Sequence, residues 1–370
     1  MQFVLRVAGR LLLSSLSVSL LACGGNGAAT AANALPGSDP DAGTDPGAKN
    51  PDGGVENPAD SSTPGFDAST PRDASATDTG TATGRLQTVF VIVMENHSWS
   101  TIKMSDKAPY INGTLIPMGA HAENYKTPLG NHPSEPNYIW LEAGDNLGIT
   151  NDDEPSANHQ STADHLTAQL SAANIPWKAY VEGISGDDCP LTGSGVYAPK
   201  HTPQLYFDDV TSNNDPTSTY CKAHIRPYTE LADDLTKNTV ARYNFITPDL
   251  CNDMHGFALG CGTQNFNEIG AGDDWLRVEV PKILASSAYK NNGVLFIVWD
   301  EGDTAIFGPA SDGPIPMIVL SPKAKANYSN NTTLTHSSML RTFQEILGVG
   351  PLLRDAATAT NLSEFFTSYP

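Results

Sequence analysis

Basic residues are scarce in this sequence: Lys and Arg number 21 against 41 Asp and Glu, for a formal net charge of −20. A nucleic-acid binder needs a basic footprint, so that class is excluded as an expectation. Cysteine is sparse at five, and the spacings lack the close-set pairs that usually mark a structural zinc site. No internal repeat is visible. Long uncharged apolar runs are missing too. The run that follows Arg6 and Arg10 is too short to read as a membrane span and is expected to be the core of a secretory signal over residues 1–22. Aromatic residues are absent from Gly24 to Gly84 except for Phe66. That stretch, rich in Ala, Gly, Pro, Asp, Ser and Thr, cannot bury enough apolar surface to offset its ordering entropy, so residues 23–84 are expected to be a disordered tether. The tether carries nine acids against Lys49 and Arg72.

What is present begins with Leu20-Leu21-Ala22-Cys23, which resembles a bacterial lipobox. The resemblance implies cleavage before Cys23, lipidation of its sulfur, and an exported protein held to a membrane, periplasmic or at the cell surface, with the outer membrane favoured. Residues 85–370 are enough for one large α/β domain. Four cysteines remain, Cys189, Cys221, Cys251 and Cys261, an even number in an exported chain, and two disulfides are expected. Three pairings are open. Cys189 with Cys221 and Cys251 with Cys261 closes the shortest separate loops.

Two apolar runs end in acid-containing pairs: QTVFVIVM runs into Glu95 and Asn96, and VLFIVW into Asp300 and Glu301. Continuous Val/Ile/Phe runs of this length read as strands buried on both faces of a parallel sheet, and ligands collect at the carboxyl ends of such strands. WKAYV, Arg242 to Thr247 and IPMIVLSP read as further strands. Helices are expected over 161–173, with Ser161 or Thr162 as cap, from Asp273 with a kink or break at Pro281, and over SSMLRTFQEIL closed by Gly348. The alternation predicts an α/β fold with a mainly parallel central sheet and helices on both faces. The stretch from Gly186 to about Pro227 reads as a long irregular loop tied down by its cysteines.

Three carboxylates and an amide oxygen at the strand ends make a hard-oxygen site for one divalent metal ion. Ser134 lies between prolines in NHPSEPNY, where the fixed φ angles would hold it in a rigid geometry. A cation could lower the pKa of its hydroxyl and make it a nucleophile. Asn131 and His132 beside it, and Lys200, His201, His255 and His336, are candidates to meet phosphoryl oxygens and developing charge, with the start of the last helix behind His336.

MENHSW, HPSEPNY, KHTP, PDLCNDMH, GDDWL, WDEGD, IPMIVLSP and HSSMLRTFQEILG resemble, in that order, the phosphoesterase family of bacterial acid phosphatases and phospholipases C. The resemblance implies an alkaline-phosphatase-like fold and metal-dependent hydrolysis of a small phosphoester through a phosphoserine. Glu95 and Asn96 match the family's first ligand pair, Asp300 and Glu301 its second, Ser134 its nucleophile, and His255 and His201 its phosphate-side histidines. The family often has two aspartates at the second pair, so Glu301 reads as a longer ligand or a group behind the ligands. A sulfate-ester-cleaving branch carries Arg where Tyr138 stands, which lowers that reading. Phospholipase C action on phospholipid headgroups is the alternative within the chemistry, and the short run after the last helix favours the acid-phosphatase branch. A surface lipoprotein that binds without catalysis is the alternative outside it.

Overall fold

The computed structural model describes residues 84–128, 132–256, 258, 260–303 and 313–370. The signal segment, Cys23, the tether up to residue 83, and Asn131 lie outside the described residues. The strands in chain order are β1 (Thr88–Met94), β2 (Ala120–Ala122), β3 (Tyr125–Lys126), β4 (Trp177–Val181), β5 (Ile225–Pro227), β6 (Tyr243–Thr247), β7 (Gly293–Trp299), β8 (Met317–Leu320), β9 (Tyr328–Asn330) and β10 (Leu334–Thr335). Eight of them form one sheet in the order β5-β4-β6-β1-β7-β8-β2-β9, and β3 and β10 pair separately.

Every pair in the half from β5 to β7 is parallel; β8 runs antiparallel to both β7 and β2. The expected mainly parallel α/β sheet is therefore present. β7 is buried along its whole length, and β1 from its second residue onward. Their side chains pack helices on the two faces, which is why Val, Ile and Phe run on without polar alternation.

The helices that matter for the site are α1 (Ser134–Ala143), α2 (Leu166–Ala172), α3 (Glu268–Ala285) and α4 (His336–Leu347). Three differ from the sequence expectation. α1 begins at Ser134 itself, with Pro133 as N-cap and Pro136 in the first turn, where the proline nitrogens need no helical partner. α2 starts after His165, so the 161–165 stretch is not helical. α3 starts five residues before Asp273 and continues through Pro281 without a break. The cysteine-bearing stretch from 186 to 227 holds several short helices and β5. Both disulfides that close the shortest loops are formed, Cys189–Cys221 and Cys251–Cys261. No helix of the described residues is long and apolar enough to cross a membrane.

Candidate functional site at the strand ends

The register between β1 and β7 places the two acid pairs side by side. Thr88 is opposite Gly293, and each following residue keeps step to Met94 opposite Trp299. The ladder continues one step further, with the Asp300 N–H donating to the Met94 carbonyl at 3.0 Å. Asn96, in the left-handed region at φ 53°, turns its N–H onto Asp300 Oδ1 at 3.1 Å. β6, the other neighbour of β1, leads into the turn that carries Asp253 and His255. The Glu95 N–H donates to the Asp253 carbonyl at 2.8 Å.

α1 delivers three side chains to these acids from one helical face, at the i, i+3 and i+4 spacing that aligns residues on a helix. Ser134 Oγ donates to Glu95 Oε2 at 3.1 Å and Tyr138 Oη to Glu95 Oε1 at 2.6 Å. Asn137 Nδ2 donates to Glu301 Oε2 at 3.0 Å. His132 Nδ1 holds the other Glu301 oxygen at 2.7 Å. Both Glu301 oxygens are thus engaged by protein groups. Asp300, by contrast, has a buried Oδ2 with no hydrogen-bond partner among the described residues.

His201 is stacked on Tyr138, with ring centroids 5.1 Å apart. Its Nε2 lies 3.2 Å from Glu95 Oε1, but the ring is not aligned to bond it, so this buried nitrogen has no hydrogen-bond partner among the described residues. Its Nδ1 faces Asp253 Oδ2 at 3.4 Å. His255 bonds the Gly256 carbonyl at 2.8 Å, with its ring centroid 6.2 Å from that of His201. Lys200 pairs with Asp152 at 2.6 Å. His336 is fully buried behind Asp300, donating Nε2–H to the Asp300 carbonyl at 2.7 Å and meeting Tyr125 Oη at 3.0 Å through Nδ1. Burial lowers its pKa to about 4, so it stays neutral as a strut for the strand end.

The electrostatics show four carboxylates with too few cations. Burial raises Glu95, and Asp300 and Asp253 raise it further. Burial also raises Asp253, Asp300 and Glu301. Lys200 is held above its ordinary value despite burial, because Glu95 and Asp152 stabilise its charge. His201 is pushed well down by burial and then by Lys200.

Among the described residues no group of three or more His, Cys, Asp or Glu side chains is arranged to hold a metal ion. The donor set fits one nonetheless, because it combines two carboxylates with an amide. Turned with its nitrogen inward, the Asn96 amide donates to Glu301 Oε1 at 3.0 Å and Glu95 Oε2 at 3.2 Å; turned the other way, it sets its oxygen against those two. Adjacent oxygens around a small hard cation about 2.1 Å away sit about 3 Å apart. With the orphaned Asp300 Oδ2, that packing of acceptors suits a cation. Sequence reasoning missed Tyr138, Asn137 and Asp253. The first two were findable from their spacing to Ser134 once a helix was assumed there; Asp253 is singled out only by β6 lying beside β1.

A Mycobacterium tuberculosis phosphatidylinositol-3-phosphatase is 27% identical over 262 residues, covering 70% of this chain and 77% of that protein. An acid phosphatase from Aspergillus fumigatus is 31% identical over 199 residues, 50% of this chain and 40% of that one, so the chain spans well under two thirds of the fungal relative. A solved Bacteroides thetaiotaomicron structure described as a candidate sulfatase superposes with a TM-score of 0.50 at 11% identity, covering 77% of this chain and 75% of that one, a likeness of fold. The sequence profile of the Phosphoesterase family matches residues 129–350, more than half of the chain, including Ser134, His201, Asp253, His255, Asp300 and Glu301. The chain belongs to the Phosphoesterase family.

Proposed function

We propose that the protein is a metal-dependent phosphomonoesterase in which Ser134 is the nucleophile. That it hydrolyses phosphoric esters follows from its family; the serine and the metal are the finer reading. The observation that carries it is the placement of Ser134 Oγ, 3.1 Å from Glu95 Oε2, as the first residue of a ten-residue helix whose N-terminus meets the acid-tipped strand ends. A helix N-terminus favours an anion such as a phosphoryl group.

Glu95, Asn96 and Asp300 would hold a divalent cation, which when bound lowers the pKa of a nearby hydroxyl and neutralises phosphoryl charge. Glu301, engaged by His132 and Asn137, follows Asp300 in sequence and stands next to these three in space. The Ser134 hydroxyl, aimed by its bond to Glu95, attacks phosphorus; the Ser134 O–P bond forms as the ester P–O bond breaks, and the alcohol leaves with a proton. Water then cleaves the phosphoserine. His201 Nε2, buried and without an aligned partner, is placed to donate to a phosphoryl oxygen, and Lys200 balances the charge. The Cys189–Cys221 and Cys251–Cys261 disulfides suit an exported protein, and we place the lipid anchor at Cys23.

Ser134→Ala should abolish turnover of a soluble aryl phosphate while the fold, read by circular dichroism, is kept. Full activity in that variant sinks the mechanism. Elemental analysis, with chelation and re-addition of Mg²⁺, Mn²⁺, Ca²⁺ or Zn²⁺, identifies the ion. Phosphatidylcholine run in parallel tests phospholipase C action. Cys23→Ser should move the protein from the membrane to the soluble fraction.

A further inference from the structure

The helix that carries Ser134 cannot cap itself. Its N-cap is Pro133, which makes no side-chain cap hydrogen bond, and neither Pro133 nor Pro136 has an N–H, so Ser134 and Glu135 supply the amide hydrogens of the first turn. Asp152, from the loop beyond α1, provides the missing acceptor. Its Oδ1 accepts from the Glu135 N–H at 3.0 Å, and the helix dipole favours a carboxylate at that end.

The second oxygen of Asp152 reaches a different part of the site. Oδ2 accepts from Lys200 Nζ at 2.6 Å, and Lys200 belongs to the short turn Pro199–His201 that carries His201. The contacts close a ring. Glu95 meets Ser134 Oγ at 3.1 Å and lies 3.2 Å from His201 Nε2, while Asp152 joins the chain neighbours of those same two residues. The bond from Ser134 Oγ to Glu95 is given up when that oxygen attacks phosphorus. The Asp152 contacts involve no reacting atom, so they stay made, alongside the stacking of Tyr138 on His201. The Asp152 and Lys200 side chains are 28% and 19% exposed, and an ion pair this open adds little to stability. What it fixes is the placement of one turn against another.

We propose that Asp152 is a positioning residue for phosphoester hydrolysis: through the Glu135 N–H and Lys200 it holds the first turn of α1, and with it Ser134, against the turn that carries His201. The inference rests on the phosphomonoesterase reading above. It is tested with the full chain, supplied with divalent metal, by measuring kcat and KM for p-nitrophenyl phosphate and the urea midpoint of the wild type, Asp152→Asn, Asp152→Ala, Lys200→Met and the Asp152→Asn, Lys200→Met double variant. Asparagine has one acceptor oxygen where aspartate has two. It can keep the bond to Glu135 but cannot also accept from Lys200.

In Asp152→Asn, kcat and kcat/KM should fall together by about tenfold, as for a sub-ångström misplacement felt in the transition state. The urea midpoint should hold, because asparagine caps a helix as well as aspartate does. Losing a negative charge near a phosphate ester would by itself favour substrate, so a fall in kcat at constant KM is not a charge effect. Asp152→Ala should lose more turnover and lower the midpoint as well. In the Lys200→Met background, Asp152→Asn should cost nothing further. Wild-type kinetics in Asp152→Asn, with a loss only in Asp152→Ala that follows its midpoint, would reduce Asp152 to a helix cap and overturn the proposal. A further tenfold loss in the Lys200→Met background overturns the route through Lys200. Absence of turnover by the metal-supplied wild type overturns the phosphomonoesterase reading and the positioning role with it.

Discussion

His165 gives a stability prediction that can be worked through from geometry. Its ring is fully buried and stacked on Phe207, with centroids 3.9 Å apart. Nδ1 lies 3.2 Å from Glu142 Oε1 and Nε2 lies 3.0 Å from Asp209 Oδ1. Burial opposes a charge on the ring, but the two carboxylates outweigh it and raise the pKa from 6.5 to about 9. A histidine raised on folding contributes stability that is complete below its unfolded value and is lost as pH climbs through its folded value. The window therefore runs from pH 6.5 to about 9. A shift of this size corresponds to about 3 kcal/mol, trimmed to about 2 because Asp209 is partly exposed to screening solvent.

The perturbation is His165→Gln. Glu142 keeps its other donors in that variant, the Thr167 N–H at 2.7 Å, the Thr167 hydroxyl at 2.6 Å and Gln204 at 3.2 Å, so the loss isolates the imidazolium. Urea unfolding of both proteins at pH 6, 7.5 and 9.5 should show the stability gap largest at pH 6 and smaller by about 2 kcal/mol at pH 9.5. That corresponds to a Tm gap that narrows by about 3 °C. The residue of the gap at high pH reports lost stacking on Phe207 and does not titrate. A gap that stays constant across the range, or widens with pH, refutes the assignment of a charged His165.

Other expectations follow from the same contacts. Tyr138→Phe removes the 2.6 Å donor on Glu95 and should weaken divalent-ion binding, read by titration calorimetry, by about tenfold or more; unaltered affinity would show that Glu95 is oriented by other means. Replacing Cys189 and Cys221, 32 residues apart, by Ser should cost about 4 kcal/mol, against about 3 for Cys251 and Cys261, 10 apart. Denaturant midpoints check the order. The second pair should cost more activity, because its loop carries Asp253 and His255. Gly272→Ala places a Cβ 2.3 Å from Met254 Cγ, so it should destabilise by about 1–3 kcal/mol in thermal unfolding although alanine favours helix.

The sheet was legible because β1 and β7 are buried on both faces, and that leaves a signature in single residues: no polar side chain interrupts VFVIVM or VLFIVW. The acid pairs were legible because polarity returns abruptly where those strands end. The company around Ser134 was harder to see. Two prolines in HPSEP pointed to a rigid setting for Ser134, yet the first turn of a helix tolerates proline, and only a helix makes Asn137 and Tyr138 neighbours of Ser134 in space. Asp253 was overlooked because nothing local distinguishes it from Asp249; what singles it out is β6 lying next to β1. His336 looked like a phosphate-side residue from its place at a helix start. Its burial depends on β3 and on the backbone of Asp300, both remote in sequence. Pro281 does not end α3, which continues past it to Ala285.

The shared step between β1 and β7 also makes the site a test of its own assembly. Residues 96 and 300, joined by the Asn96 N–H on Asp300, are 204 apart in the chain. A slip of one residue between the two strands would turn each side chain to the opposite face, carrying Asp300 away from Glu95 while leaving the apolar packing plausible. A misregistered sheet could thus be compact and still bind no cation, and ion binding would select the correctly threaded molecules. Neither half of the chain carries a usable part of the site. Activity should therefore appear late in refolding, after the segments holding Glu95 and Asp300 have met, rather than in step with the growth of helix.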